Sequence, residues 1–478
     1  MSQPKIAVIG AGPAGLTAAW ELQANGLTAD IFESDIQVGG ISKTVLRDDW
    51  RFDLGGHRFF TKVSKVNELW SEMLPSKEFL DRPRKSRIFY GGKFYDYPLK
   101  PLNALFNLGF FETFRCIASL AITKIRPPKD QTNFEGWVAA RFGWRLYGIF
   151  FKTYTEKVWG LPATSIQSDW AAQRIKNLSL ISAIKDAFKI GKSEEVITSL
   201  ISTFKYPRLG PGQLWESASK ILDDNGSKTQ LHKNVTSAKK LSNGYEIGIS
   251  GEYSIYDTIF STMPLSLIPQ LLGAPEDVIG AAQKIKYRDF LIVALPVSNE
   301  NIFDDNWIYI HDSSVRVGRI QNYGSWSPEM VKPGFTCLGL EYFVNENDDL
   351  WSSSDSDLIS FGKSELAKIG FTVTTIQNTG YVVRVPKAYP VYDENYQESV
   401  NIIRRWLTAE HPNWYQLGRN GQHRYNNQDH SMMTAVEAVN SFQNNLGDYY
   451  WDVNVDDEYH EEKNTNKGTG RLAPTFKK

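Results

Sequence analysis

After five mixed residues the chain runs Ile6-Ala7-Val8-Ile9 with no polar side chain and stops at Gly10, the pattern of a short strand buried on both faces. Residues 16–22 carry helical spacing until Asn25-Gly26 ends it, and Ala29-Asp30-Ile31-Phe32-Glu33 reads as a second strand. Strand, glycine turn, helix, strand is the opening unit of a doubly wound sheet. From about residue 75 to 205 the pattern turns helical and aromatic-rich, with a break at Arg126-Pro127-Pro128-Lys129. The most apolar stretch there, 102–125, is interrupted by Glu112, Arg115 and Lys124, so it predicts helices with one buried face and not a membrane span. Residues 228–263 predict short strands, 245–249 and 258–261 among them, that return to the first unit. Alternating apolar runs at 290–295 and 337–342 predict an antiparallel sheet over about 288–386. A helix near 396–408 and a helical run over 432–439 follow, and the chain from Asn454 onward is polar and charged.

These elements assemble into an α/β chain. A Rossmann-like nucleotide-binding domain is expected from residues 1–75, 206–287 and 405–453, an inserted helical domain from 76–205, an antiparallel β-sheet domain from 288–404 and a polar tail from 454–478. With 41% hydrophobic and 22% charged residues, the 478-residue chain can bury more than one core, which excludes wholesale disorder. Its 53 Lys and Arg against 54 Asp and Glu leave a formal charge of −1, so no overall field gathers nucleic acid or anionic lipid, and an anion site must be local. Two cysteines, Cys116 and Cys337, cannot build a disulfide framework or a four-cysteine zinc site, and no metal is expected. No basic leader or long apolar stretch opens the chain, so the expectation is a cytoplasmic protein without membrane insertion; its oligomeric state is left open.

Gly10-Ala11-Gly12-Pro13-Ala14-Gly15 places three glycines between a strand and a helix start. Backbone can there approach a pyrophosphate at the positive end of the helix. Glu33, 18 residues beyond Gly15 at the end of the second strand, can accept hydrogen bonds from an adenosine ribose and would repel a 2′-phosphate. Gly10, Gly12, Pro13, Ala14, Gly15 and Glu33 are the expected dinucleotide site.

Beyond this unit, Gly39-Gly40-Ile41-Ser42 and Phe52-Asp53-Leu54-Gly55-Gly56-His57 resemble the flavoproteins of the amine oxidase and UDP-galactopyranose mutase clan. The resemblance implies FAD, turns the Rossmann-like domain into an FAD-binding domain, and gives Ser34, Gly39, Gly40, Ile41, Gly55, Gly56, His57 and Val235 to the cofactor. His57 would meet the flavin N5 through its main chain. Near the other end, Gly418-Arg419 and Tyr425-Asn426-Asn427-Gln428-Asp429-His430-Ser431 resemble the segment that returns to the cofactor, which adds Arg419, Gln428 and Ser431. Asp429 and Ser431 are also candidates to cap the helix that follows.

Tyr154-Thr155-Glu156-Lys157-Val158-Trp159 and the later Arg174 are similar to a segment of UDP-galactopyranose mutases. A tyrosine can stack on uracil, a tryptophan can line a sugar cavity and an arginine can grip a diphosphate. Tyr309 and Arg319 are similar in spacing to the eukaryotic-type mutases, with Arg316 as the register-shifted alternative to Arg319. Tyr97, Tyr389, Tyr425 and Asn427 complete the implied substrate contacts, and the sheet becomes a substrate domain. Leu99 and Lys100 stand where eukaryotic mutases carry an aromatic and an amide, and Pro211 replaces a phosphate-binding tyrosine of the bacterial type.

What the resemblance implies is a pyranose-to-furanose ring contraction of a nucleotide-diphosphate sugar, with reduced FAD as nucleophile at the anomeric carbon and NADH or NADPH as reductant. His57, Arg174 and Arg319 would be its catalytic residues. An FAD-dependent oxidoreductase of the same clan and a non-catalytic flavin-binding module are the alternatives.

Overall fold

The structure, a computed structural model, describes residues 3–97, 101–168, 202–300, 302–371, 373–374, 376 and 379–454. Arg174, Leu99, Lys100 and the tail from 455 lie outside these residues.

Ile6–Ile9 is the central strand of a five-stranded sheet, flanked by Thr258–Ser261 and then Trp414–Gln416 on one side and by Ala29–Phe32 and then Lys228–Gln230 on the other. All four pairings are parallel. A strand at this position is enclosed on both faces, which is why all four of its residues are apolar and buried. Helix Pro13–Ala24 connects the first two strands, and helix Gln428–Asn444 packs along it. The first and last thirds of the chain therefore share one core.

A seven-stranded sheet forms the second layer, in the order Tyr381–Pro390, Tyr287–Ser298, Phe335–Val344, Arg319–Asn322, Trp307–Ile310, Ser86–Tyr90, Lys93–Asp96. Along its long strand Phe290, Ile292 and Ala294 enter one core, while Leu291, Val293 and Leu295 enter another on the opposite face. The helical segment covers the first face with Phe134, Val138, Phe142 and Phe150, and helix Asp355–Lys368 covers the second with Leu358 and Leu366.

Two sequence expectations are corrected. The sheet is antiparallel except where Trp307–Ile310 runs parallel to Ser86–Tyr90, because that strand comes from a distant part of the chain and not from a hairpin partner. Residues 79–96, expected to be helical, form the strands Phe79–Pro83, Ser86–Tyr90 and Lys93–Asp96. Phe79–Pro83 pairs with Thr203–Pro207, so the chain leaves for the helical segment and comes back through two adjacent strands.

Candidate functional site

A cleft of about 290 Å³, open to solvent, lies where the N-terminus of helix Pro13–Ala24 meets residues 40–42, 54–60, 385–389 and 418–431. Arg58, Arg319, Lys387 and Arg419 line it, and no carboxylate does among the described residues.

Backbone packing explains the glycines on its floor. A Cβ on Gly15 would be driven into the Gly10 carbonyl oxygen, so no side chain fits where the helix leaves the strand. Gly12 and Gly40 face each other so closely that a Cβ on Gly40 would lie 3.2 Å from the Gly12 Cα. Gly39 N–H donates to the Ala11 carbonyl at 2.8 Å and clips the second glycine pair onto the first. Gly12 caps helix Pro13–Ala24 with no side-chain acceptor and the first turn holds no acidic residue, which leaves the helix N-terminus suited to an anion.

Glu33 is buried, and its carboxylate accepts from Ala11 N–H at 2.7 Å and from Asp35 N–H at 2.9 Å, with Ser34 Oγ at 3.3 Å. It shapes the glycine turn directly, and a carboxylate has lone pairs left for a ribose. Val235 is buried in the first core and does not line the cleft; its neighbour Lys233 donates N–H to the Glu33 carbonyl at 2.8 Å.

Across the cleft, Arg419 donates from Nε to the Ala388 carbonyl at 3.1 Å and from Nη1 to the Asn426 carbonyl at 2.9 Å. Its guanidinium lies over the Tyr389 and Tyr425 rings, 4.9 and 4.3 Å from their centroids. The remaining Nη2 and both amide atoms of Gln428 are buried without a hydrogen-bond partner. Buried polar atoms of this kind call for a ligand. A glycine cradle at a helix N-terminus, with these unsatisfied groups opposite, fits the diphosphate and polar rim of a dinucleotide such as FAD.

The capping expectation is corrected. Asn427 is the N-cap of helix Gln428–Asn444 and makes no side-chain cap. Asp429 and Ser431 sit inside the first turns, Asp429 Oδ1 accepting from His430 N–H at 3.0 Å and Ser431 Oγ donating to Asn426 Oδ1 at 3.0 Å. Asn427, Gln428 and Ser431 all line the cleft.

His57 stands between Arg319 and Arg419. Burial pushes its pKa down to about 4, the two guanidiniums adding to the effect, so the ring is neutral near pH 7. Its Nε2 is 3.1 Å from the Leu54 carbonyl, which fixes the proton there, and its Nδ1 accepts from Ser42 Oγ at 3.4 Å. A ring pinned at both nitrogens leaves the Gly55-Gly56-His57 backbone as the surface offered to a ligand.

Asp53, beside this loop, is 1% exposed. Burial raises its pKa to about 7, against the lowering effect of hydrogen bonds from Tyr206 and Thr44. Between about pH 4 and about pH 7 the folded chain keeps a proton that the unfolded chain gives up, so stability falls as pH rises through this window, by on the order of 4 kcal/mol. Asp53→Asn is neutral throughout. Its melting temperature is expected to decline less than that of the natural chain between about pH 5 and about pH 8; equal slopes would show that Asp53 is ionised in the fold.

Arg319 is paired with Glu341, its cross-strand partner, whose carboxylate is fully buried and also accepts from Gln321 Nε2 at 3.0 Å. Burial opposes the charge on Arg319, but Glu341 together with Tyr389, Tyr154 and Tyr309 outweighs it and holds the guanidinium ionised. Its Nη2 lies so near Gly55 that a Cβ there would be 3.7 Å away. Arg316 is in a different place: it pairs with Asp349 at 2.7 Å on the surface, and its backbone N–H is taken by Glu365.

Tyr309 is paired across the strands with Arg319, and Tyr154 acts electrostatically on the same guanidinium. Tyr154 stacks on His311 with centroids 4.8 Å apart and meets the Tyr309 ring edge-on, and Tyr309 packs on Tyr97. One face of Tyr154 is thus already covered. These rings form an aromatic group at Arg319 and do not line the cleft described above. Trp159 is corrected: only 3% exposed, it lies against Tyr392 and edge-on to Tyr425, so it supports a cleft residue and does not line the cavity. Tyr389 and Tyr425 stack on each other at 5.7 Å and do line it.

Arg58 and Lys387 line the cleft without a motif in the sequence that marks them. Arg58 follows Gly55-Gly56-His57 directly, and its guanidinium lies 4.8 Å from the Trp307 ring centroid. Lys387 has φ +52°, a left-handed conformation with no glycine to announce it, held by Asp289 accepting its N–H at 2.6 Å. Among the described residues no group of three or more His, Cys, Asp or Glu could hold a metal ion.

Residues 8–73 match the family of NAD(P)-binding Rossmann-like domains. Protoporphyrinogen oxidase 2, chloroplastic/mitochondrial, of Arabidopsis thaliana is 20% identical over 464 residues, covering 87% of this chain and 90% of that protein. The crystal structure of reduced UDP-galactopyranose mutase superposes with a TM-score of 0.80 at 22% identity, covering 92% of this chain and 96% of the mutase. A CLA-producing fatty acid isomerase from P. acnes gives 0.61 at 15% identity over 92% of this chain and 99% of its own. One fold thus carries oxidation and isomerisation, and the chemistry must be read from the cleft.

Proposed function

We propose that this chain, on the fold it shares with UDP-galactopyranose mutase and FAD-dependent oxidoreductases, is a flavin-dependent mutase that contracts the pyranose ring of a nucleotide-diphosphate sugar to a furanose. The observation that carries this reading is the cleft lined by Arg58, Arg319, Lys387 and Arg419 with no acidic side chain among the described residues. Such a lining favours two diphosphates, one of the cofactor and one of the substrate, over an apolar or cationic substrate.

When bound and reduced, for which NADH or NADPH is the proposed source of electrons, FAD supplies a nucleophilic ring nitrogen to the anomeric carbon. Gly12, Gly15, Gly40 and the helix N-terminus take the cofactor diphosphate, Glu33 its ribose, and Arg419, Gln428 and Ser431 its remaining polar edge. Arg319, fixed by Glu341, stabilises the charge that develops on the substrate diphosphate as the anomeric C–O bond breaks. Arg174 is assigned to the same task on its sequence position. The Tyr389 and Tyr425 hydroxyls, both at the cleft, can donate to phosphate oxygens, and burial keeps Tyr389 protonated. Asn427 adds a polar contact, and Tyr97, Tyr154 and Tyr309, outside the cleft lining, form the aromatic group that backs Arg319. Neutral His57 adds no charge and holds its loop in place. Replacing O5 by O4 at the anomeric carbon consumes no oxidant, since the proton lost by one hydroxyl is regained by the other.

Isotope scrambling tests the bond cleavage. With ¹⁸O in the bridge between sugar and diphosphate, the reduced enzyme is expected to scatter the label into non-bridging positions of the terminal phosphate; label that stays in place through turnover would refute the mutase reading. A second reading, net oxidation, is favoured by the protoporphyrinogen oxidase relative, and it gives no scrambling.

A further inference from the structure

Helix Phe110–Ile125 is turned inside out. Its buried side consists of Cys116, Leu120 and Thr123, whereas Phe110, Phe111, Phe114, Ile117, Ile122 and Ile125 face solvent. At 3.6 residues per turn these six occupy a stripe of about 140°. Phe110, Phe111 and Ile125, with Phe106 on the preceding helix Pro101–Leu108, are each at least 80% exposed. Soluble chains do not ordinarily leave several phenylalanines on one outward stripe, and such a stripe marks a docking surface.

Charge selects what docks. On the same wheel Arg115 and Lys124 stand at the two edges of the stripe. Residues 101–152 hold seven cations, Arg115, Lys124, Arg126, Lys129, Arg141, Arg145 and Lys152, against Glu112, Asp130 and Glu135, a local charge of +4 in a chain of −1. Glu112 is itself neutralised by Arg145, with Arg115 at 3.6 Å. A symmetric contact with a second copy would oppose two such positive segments. An anionic surface with an apolar interior matches both features. At 16 residues the helix is about 24 Å long, shorter than the roughly 30 Å hydrocarbon core, and no helix among the described residues is long and apolar enough to cross a membrane.

We propose that this helix is a peripheral membrane anchor that lies in the headgroup region of an anionic bilayer, with its phenylalanines inserted and its basic edges against lipid phosphates. Docking there is independent of the chemistry in the cleft.

Vesicle flotation of the full-length holoprotein tests it. Binding to phosphatidylcholine vesicles containing phosphatidylglycerol is expected to exceed binding to pure phosphatidylcholine by about tenfold or more and to weaken with salt. Replacing Phe110, Phe111 and Phe114 together by Ser should lower binding by more than about tenfold while flavin absorbance and melting temperature are kept, since these side chains touch little of the fold. Arg115→Glu with Lys124→Glu should abolish the preference for anionic lipid. A natural chain that stays unbound to anionic vesicles would overturn the proposal. So would a natural chain that is a dimer and becomes monomeric with the serine substitutions, because a second copy would then own this face.

Discussion

Arg319→Ala is expected to purify yellow and to lose about 10²- to 10³-fold in kcat/KM on a nucleotide-diphosphate sugar, the effect of removing a fixed donor from a developing charge. The same change leaves Glu341 fully buried without its cation, with only Gln321 to bond it. An orphaned buried charge costs about 3–5 kcal/mol, so the variant should also melt earlier. Arg319→Met combined with Glu341→Gln separates the two effects: stability is regained and turnover is not. Arg319→Lys keeps the charge but loses the planar fork, and an intermediate rate is expected. Full turnover by the Met/Gln pair, with flavin absorbance intact, would remove Arg319 from the reaction.

Gly15→Ala is expected to give a folded but colourless protein. The new methyl meets the Gly10 carbonyl oxygen, and the turn cannot yield freely because Gly10 N–H is bonded to the Phe32 carbonyl at 2.7 Å. Relieving the overlap costs about 1–3 kcal/mol and moves the cradle, so FAD affinity should fall by roughly 10- to 100-fold. Gly280→Ala is the control, since a Cβ there meets nothing within 4 Å in helix Glu276–Lys284. Flavin content measured after exhaustive dialysis distinguishes the two, and equal retention would place the dinucleotide elsewhere.

Much of the fold was legible because local chemistry and long-range packing agree. The glycine turn needs a strand before it and a helix after it, and both are written in the first 24 residues. The two chain ends could be read as sharing one cleft because both carry ligand-type motifs, and a Cβ on Gly418 would lie 2.9 Å from the Ala14 Cβ. The partnership of Ser86–Tyr90 with Trp307–Ile310 was not legible, since no periodicity encodes a pairing across more than two hundred residues. Between Arg316 and Arg319 the spacing could not decide. Register decides: Arg319 starts a strand whose neighbour presents Glu341 opposite it, while Arg316 precedes the strand and meets Asp349. Trp159 was misplaced for a related reason, because helical spacing does not say whether an aromatic fills a core or a cavity wall. The outward stripe on helix Phe110–Ile125 was hidden in the same way. Its apolar period is plain, but periodicity cannot tell which side faces in.

The sharpest discrimination comes from giving UDP-galactopyranose anaerobically to two samples of one preparation, the first with oxidised flavin and the second reduced beforehand. A flavin-dependent ring contraction requires that only the reduced sample form furanose, over many turnovers and with its flavin still reduced at the end. Bleaching of the oxidised sample with one oxidised product per flavin, and no furanose from the reduced one, would make this an oxidoreductase.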